Sequence, residues 1–331
     1  MGASALRFAA MSVRLRPLAL LYLTLPPLLW ASNAILGRVS VGGDEPLASP
    51  LTLNALRWAL TLVLLVPILY VARRPSSARA VAPGATAPPV AVVAGQGAWR
   101  IYALFGLLAV TSYNALQYVA LRTSTAINVT LIAAGGPLFV LLIGRLFFGA
   151  HARRRQWLGA GLSLVGVLVV LTAGDVDRLA RLRLVPGDLL MVAATIVWAL
   201  YSWLLRTRRP DVPALVLLFL QTAWGVALSV PLVAAEWLAG DFALRVEPAT
   251  AGVVLWLALG PSLLAFWCWD RGVAHAGPLL PSFFANLTPL FAALMSAALL
   301  GEPPRPFHAL AFLLIVTGIV ISQRGARSSG S

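Results

Sequence analysis

The chain has one cysteine, three histidines and no lysine in 331 residues, and only 11% of its side chains are charged. A lone Cys268 excludes an intramolecular disulfide and any cysteine-based metal site. His151, His275 and His308 fall in loops or at helix ends, and none has the spacing of a HExxH pair or another ligand set. No paired aspartates are present to hold magnesium for a membrane prenyl- or phosphotransferase. "GQGAWR" and "GAGLSLVG" are glycine-bearing but lack the strand-to-helix context of a dinucleotide or phosphate loop. These absences argue against an enzyme and against a bound cofactor or metal.

Apolar residues, 60% of the total, are what the chain has in abundance. They lie in runs of about twenty, the length that crosses a hydrocarbon core about 30 Å thick. Ten such stretches fall near residues 17–36, 50–70, 100–119, 126–147, 156–172, 188–205, 213–235, 250–269, 278–299 and 307–322. The expected fold class is therefore all-α integral membrane, with ten transmembrane helices and the lipid bilayer as partner. The first run is as long as a full span and leads straight into more membrane, so it reads as an uncleaved signal-anchor.

The net charge of +14 comes from 25 arginines set between these runs. Threading ten spans with both termini on one side places sixteen arginines there. Seven lie opposite: Arg38, Arg122, Arg178, Arg181, Arg183, Arg245 and Arg305, while Arg57 and Arg145 fall inside spans. The positive-inside rule then makes both termini cytoplasmic, in the inner (plasma) membrane of a cell. No loop is long enough to present the arginines to nucleic acid. Residues 1–16 and 323–331 read as cytoplasmic tails, and 75–98, rich in Pro, Ala and Gly, as a flexible linker.

The sequence also repeats itself. "PLFVLLIGRLFFGA" at 137–150 returns as "PLFAALMSAALLGE" at 289–302, with Gly149 and Gly166 matched by Gly301 and Gly318 at the same distances. "LLWASNAILGR" around Trp30 is echoed by "TIVWALYSWLLR" around Trp198. "LRWALTLVLLVPI" aligns with "LQTAWGVALSVPL", setting Arg57 against Gln221. Two five-helix halves, 17–172 and 187–322, are the economical reading. Because five is odd, the second half enters the membrane from the other side, so the halves form an inverted repeat, an architecture typical of secondary transporters with a midplane site.

Trp30, "PLTLNALRW", "NALQYVALRTSTA", "QWLGAGLSLVGVLVV" and "PLFAALMSAALLGE" before "GIVIS", taken in this order, resemble the EamA-type family of the drug/metabolite transporter superfamily. The resemblance covers roughly residues 18–322 and implies a ten-helix carrier of small polar or amphipathic metabolites, often amino acids or related compounds, commonly exported. The family pattern has an acidic residue after Gly at the ends of helices 4 and 9; Glu302 fits it and Ala150 does not. The alternative is a membrane protein without transport function, such as a receptor, an assembly factor or an enzyme.

A translocation site needs polar or aromatic groups facing inward at mid-depth, where unpaired polar groups are costly. Arg57 lies about 10 Å into its span at 1.5 Å per residue; it suits either an anionic substrate group or a structural tie to a neighbouring helix. Asn33, Asn114, Gln117, Gln221 and Asn286 are the neutral candidates, with Trp30, Tyr118, Trp198 and Tyr201 as cavity walls. Each Asn or Gln also suits an interhelical hydrogen bond, and each Trp an interfacial belt. Pro137 and Pro289 are candidate helix breaks, and Glu302 and Asp270, set at span edges, candidate gating or proton-handling groups. Gly159, Gly161, Ser163, Gly166 and Gly318 make helices 5 and 10 close-packing scaffold or the contact of a homodimer.

Overall fold

Stretches this apolar satisfy their backbone in hydrocarbon only as helices, and the computed structural model builds them so. It describes residues 17–42, 45–72, 99–124, 129, 132–172, 174, 175, 177, 181, 185–300 and 306–323. The helices are α1 Pro17–Val41, α2 Pro50–Ala72, α3 Trp99–Thr123, α4 Gly136–Phe148, α5 Arg154–Leu171 and α6 Pro186–Thr207. They continue with α7 Ala214–Leu238, α8 Pro248–Ala276, α9 Leu279–Ala285, α10 Thr288–Leu300 and α11 Pro306–Gln323. Five of them open on a proline, whose missing N–H costs nothing at a first helical position. No strand occurs among the described residues apart from an isolated bridge between Ala48 and Leu244. Glu302, the linker at 75–98 and both tails, save Gln323, lie outside the described residues.

Among the described residues, six helices are long and apolar enough to cross a membrane, where ten stretches were expected. Two of the expected stretches, 126–147 and 278–299, are interrupted for a local reason. Pro289 cannot donate a backbone bond and its ring opposes the carbonyl four residues earlier, so α9 stops at Ala285 and α10 restarts at Thr288. Pro137 likewise sits at the start of α4, after a turn at Gly135. Two long helices carry a π-helical turn instead: Gly106–Ser112 in α3 and Ala258–Leu264, which contains Pro261, in α8. The two π turns are 152 residues apart, the same distance that separates Pro137 from Pro289.

Small residues set the closest helix contacts. A Cβ added to Gly159 would lie 2.5 Å from the Gly318 carbonyl oxygen, and one on Gly318 would lie 2.6 Å from that of Gly159. The face of α5 and α11 on which a homodimer contact was expected is thus partly consumed within one chain, and a second copy would have to meet an outer face. Gly106 and Gly225 bring α3 against α7 in the same way, with a Gly225 Cβ reaching 2.3 Å from Val110. Outer faces carry exposed Val63, Leu146, Phe147, Leu158, Leu189, Val230 and Leu313, as lipid contact requires.

Two acids missed as structural anchors hold the bundle at one end. Glu236 of α7 accepts bonds from Ser49 Oγ at 2.6 Å, Leu51 N and Thr52 N at 3.0 Å, and Thr52 Oγ1 at 2.8 Å, which makes it a cap for the start of α2. Asp188 accepts from Val185 N at 2.8 Å and from Ser124 Oγ, joining the start of α6 to the end of α3. Exposed pairs Arg122 with Asp241 (3.2 Å) and Arg245 with Glu45 and Glu247 (3.3 Å each) lie at the same end.

Candidate binding chamber

The sequence brings polar and aromatic residues to the middle of several helices, and the packing turns them toward one space. α1 packs on α8, α9 and α10, while α6 packs on α3 and α4. Between them lies a cavity of about 100 Å³. Its lining includes Trp30 and Asn33 from α1, Tyr113, Asn114, Gln117 and Tyr118 from α3, and Thr195 and Trp198 from α6. α8 adds Phe266 and Trp269, and the broken region adds Ser282, Thr288 and Pro289. Among the described residues, no Asp, Glu, Arg or His lines it.

One wall is an aromatic cluster. The Trp30 ring lies 5.4 Å edge-on from Trp198 and 5.3 Å from Trp269, and Trp198 is 4.7 Å from Tyr113 and 5.4 Å from Phe266. Trp30 Nε1 donates to the carbonyl of Pro261 at 3.2 Å, a carbonyl inside the π turn of α8. Such a wall offers a large apolar face and ring quadrupoles. Trp30 and Trp198 therefore lie at the centre of the bundle and not in an interfacial belt.

The opposite wall is polar. Arg57, only 1% exposed, sits one layer behind it on α2. Its Nη1 donates to Asn33 Oδ1 at 2.8 Å and to Tyr118 OH at 2.6 Å, and its Nη2 donates to Asn114 Oδ1 at 3.1 Å. Tyr118 OH in turn donates to Asn33 Oδ1 at 2.8 Å. The guanidinium is also 5.1 Å from the Trp58 ring and 5.6 Å from that of Tyr118. Arg57 thus ties α1, α2 and α3 together and does not itself line the chamber.

The remaining candidates fall elsewhere. Tyr201 OH lies 2.8 Å from Asp270 Oδ1 and 3.2 Å from Gln221 Oε1, in a cluster wholly buried among α6, α7 and α8. Asp270 was expected at a span edge; α8 runs on to Ala276, so this carboxylate is interior. Arg209 Nη1 reaches its backbone carbonyl at 3.3 Å, and its Oδ2 has no partner among the described residues. Asn286 Nδ2 donates to Ser163 Oγ at 2.9 Å, fastening the break between α9 and α10 to α5. Pro137 lies beside the lining residue Gly136. Thr195, Ser282 and Thr288 were missed; Ser282 and Thr288 flank Asn286 and Pro289, which were the available signal.

The EamA-like transporter family's sequence model matches the chain twice, over residues 17–172 and 185–323. The chain belongs to the EamA-like transporter family. It is a multi-pass membrane protein of that family's helical fold. Among its relatives, the uncharacterised transporter YyaM of Bacillus subtilis is 26% identical over 67% of this chain and 72% of the relative. The uncharacterised inner membrane transporter YedA of Escherichia coli is 27% identical over 67% and 70%. The aromatic amino acid exporter YddG of Ancylobacter novellus is 27% identical over 69% and 77%. A crystal structure of another protein superposes with a TM-score of 0.69 at 22% identity, covering 92% of this chain and 96% of that one, a likeness of fold. The family and these names indicate a transporter and not an enzyme.

Proposed function

We propose that the chain is a secondary carrier of small polar or amphipathic metabolites, amino acids or related compounds among them. In this reading it exports them by alternating access around the central chamber. The observation that carries the proposal is the chamber itself: an uncharged aromatic and amide-lined space enclosed by helices from both family matches. Small-ligand sites have this composition, mostly apolar with a few placed polar groups. The relative named as an aromatic amino acid exporter adds weight to an aromatic or amphipathic substrate.

The carrier has ten spans in two inverted five-helix halves, with α9 and α10 together forming the ninth. Four features support this. The family model matches each half; the π turns and the prolines at 137 and 289 keep one register; α1 and α6 exchange partners across the halves; and α2 packs on α7. Both termini are cytoplasmic in this reading, in the inner membrane. The pairing of Arg122 with Asp241 and of Arg245 with Glu45 agrees with one shared outer end for those loops.

Counterflow in proteoliposomes against labelled amino acids, nucleosides, sugars and organic acids tests the function. Saturable exchange of one amphipathic class, abolished by Trp198→Ala, is the expected result. No exchange of any compound by monodisperse protein would overturn the carrier reading.

A further inference from the structure

Arg57 presents a physical problem that its hydrogen bonds do not solve. A buried guanidinium is costly unless a counter-charge compensates it. Its bonded partners are all neutral, and no carboxylate among the described residues pairs with it. Its Nε is buried without a partner. Among the described residues, no acidic side chain lines the chamber in front of it. The negative charge that balances Arg57 is therefore absent from the described protein surface around it.

The same bonds dictate what the chamber sees. Arginine only donates, so the Asn33 atom facing it must be Oδ1. That oxygen accepts from both Arg57 Nη1 and Tyr118 OH, which fixes the amide against flipping. Asn114 is held at both ends, with Oδ1 on Arg57 and one N–H of Nδ2 on the Ala109 carbonyl at 3.1 Å, and Tyr118 OH both accepts and donates. Asn33 Nδ2 alone in this ring makes no hydrogen bond among the described residues, and Asn33 lines the chamber. A polarised N–H donor thus stands at the chamber wall with an uncompensated positive charge one residue behind it.

We propose that Asn33 Nδ2 is the contact for a carboxylate on the substrate, and that Arg57 is a positioning residue that orients Asn33 and supplies the balancing charge from the second layer. The substrate class is then a carboxylate on an aromatic or apolar body, the body lying against Trp30, Trp198 and Trp269. This rests on the chamber being the substrate site, but its test reads binding and is separate from transport.

The experiment measures equilibrium binding of labelled indole-3-propionate and tryptamine, which share a ring and carry opposite charges, to the full chain in detergent. Wild type is expected to favour indole-3-propionate by about tenfold or more, the scale of one charge-assisted hydrogen bond. Asn33→Asp keeps an oxygen for Arg57 and Tyr118 and replaces the chamber-facing donor by an acceptor, so the preference should reverse. Asn33→Ala, which also takes the acceptor from Arg57 Nη1 and Tyr118 OH, should, in monodisperse protein, lower indole-3-propionate affinity about tenfold or more and leave tryptamine unchanged. Arg57→Lys should weaken the carboxylate ligand alone, because the fork that holds Asn33 is lost. A wild type that prefers tryptamine or binds neither probe, or a monodisperse Asn33→Asp protein that keeps the wild-type preference, overturns the proposal. Reversed preference without counterflow of indole-3-propionate would uphold the carboxylate contact and remove the carrier reading.

Discussion

In the first half of the chain Asn33, Arg57 and Tyr118 form a closed hydrogen-bonded triangle; in the second, Tyr201 OH stands between Gln221 and Asp270 in an open cluster, with Gln221 Nε2 and Asp270 Oδ2 unpartnered among the described residues. These are the same positions of the internal repeat. Trp30 and Asn33 stand 168 residues before Trp198 and Tyr201, Arg57 aligns with Gln221, and Tyr118 stands 152 residues before Asp270, in the register of the two prolines. The charge has changed sign and place: a guanidinium on the second helix of one half, a carboxylate on the third helix of the other. Access differs as well. Asn33 and Tyr118 line the chamber, while Tyr201 and Asp270 are fully buried and absent from its lining, with the lining ring of Trp198 packed 5.3 Å from Tyr201. Each family match thus holds a polar node at corresponding sequence positions, one facing the chamber and the other buried away from it.

Breaking both nodes at once should have the largest effect. Gly225→Leu drives a side chain into Val110, where even a Cβ would be 2.3 Å away, and separates α3 from α7. Overpacking of this kind costs about 1–3 kcal/mol or more, and the expected result is loss of the monodisperse peak in size-exclusion chromatography. Removing the charge of the first node comes next. Arg57→Ala frees Asn33 to flip, and transport of a carboxylate substrate should fall about 30- to 100-fold, the worth of bonds to a charged group at about 2–3 kcal/mol. Protein yield and melting in detergent separate this from misfolding.

A matched pair of hydroxyl deletions sharpens the contrast. Tyr118→Phe removes the acceptor for Arg57 and a donor to Asn33, so carboxylate affinity should drop about tenfold. Tyr201→Phe removes the donor to Asp270 and should lower melting temperature while leaving affinity unchanged, because no chamber atom is altered. The smallest effect is expected for Asp270→Asn, which keeps an oxygen for Tyr201; binding of indole-3-propionate should change by less than about twofold. A large loss of affinity in either second-half variant would show that the two nodes act alike.

Much of this was legible in the sequence. Run length and composition predict membrane helices, and the repeated Pro, Gly and Trp landmarks predict which positions correspond. Trp30, Asn33, Asn114, Gln117, Tyr118 and Trp198 were named from depth and residue type, and they meet in one cavity. Depth alone does not separate the layers of the wall, so the sequence leaves Arg57 open as a ligand, whereas its neighbours Asn33, Asn114 and Tyr118 stand in front of it. Helix length was the second obstacle. The apolar run ends near residue 269 and sets Asp270 at a span edge, yet packing on α1, α6 and α7 continues the helix to Ala276. Glu236 and Asp188 went unread for a related reason: a helix-end acid is usually solvated, and only the fold brings Ser49, Thr52 and Ser124 to them.

A structure of the chain bound to L-tryptophan in nanodiscs tests the central claim most directly. The account predicts density in the chamber, with the indole against Trp30 and Trp198 and the carboxylate about 3 Å from Asn33 Nδ2. Density with the carboxylate turned toward the Tyr201 and Asp270 node, or bound outside the chamber, would contradict it.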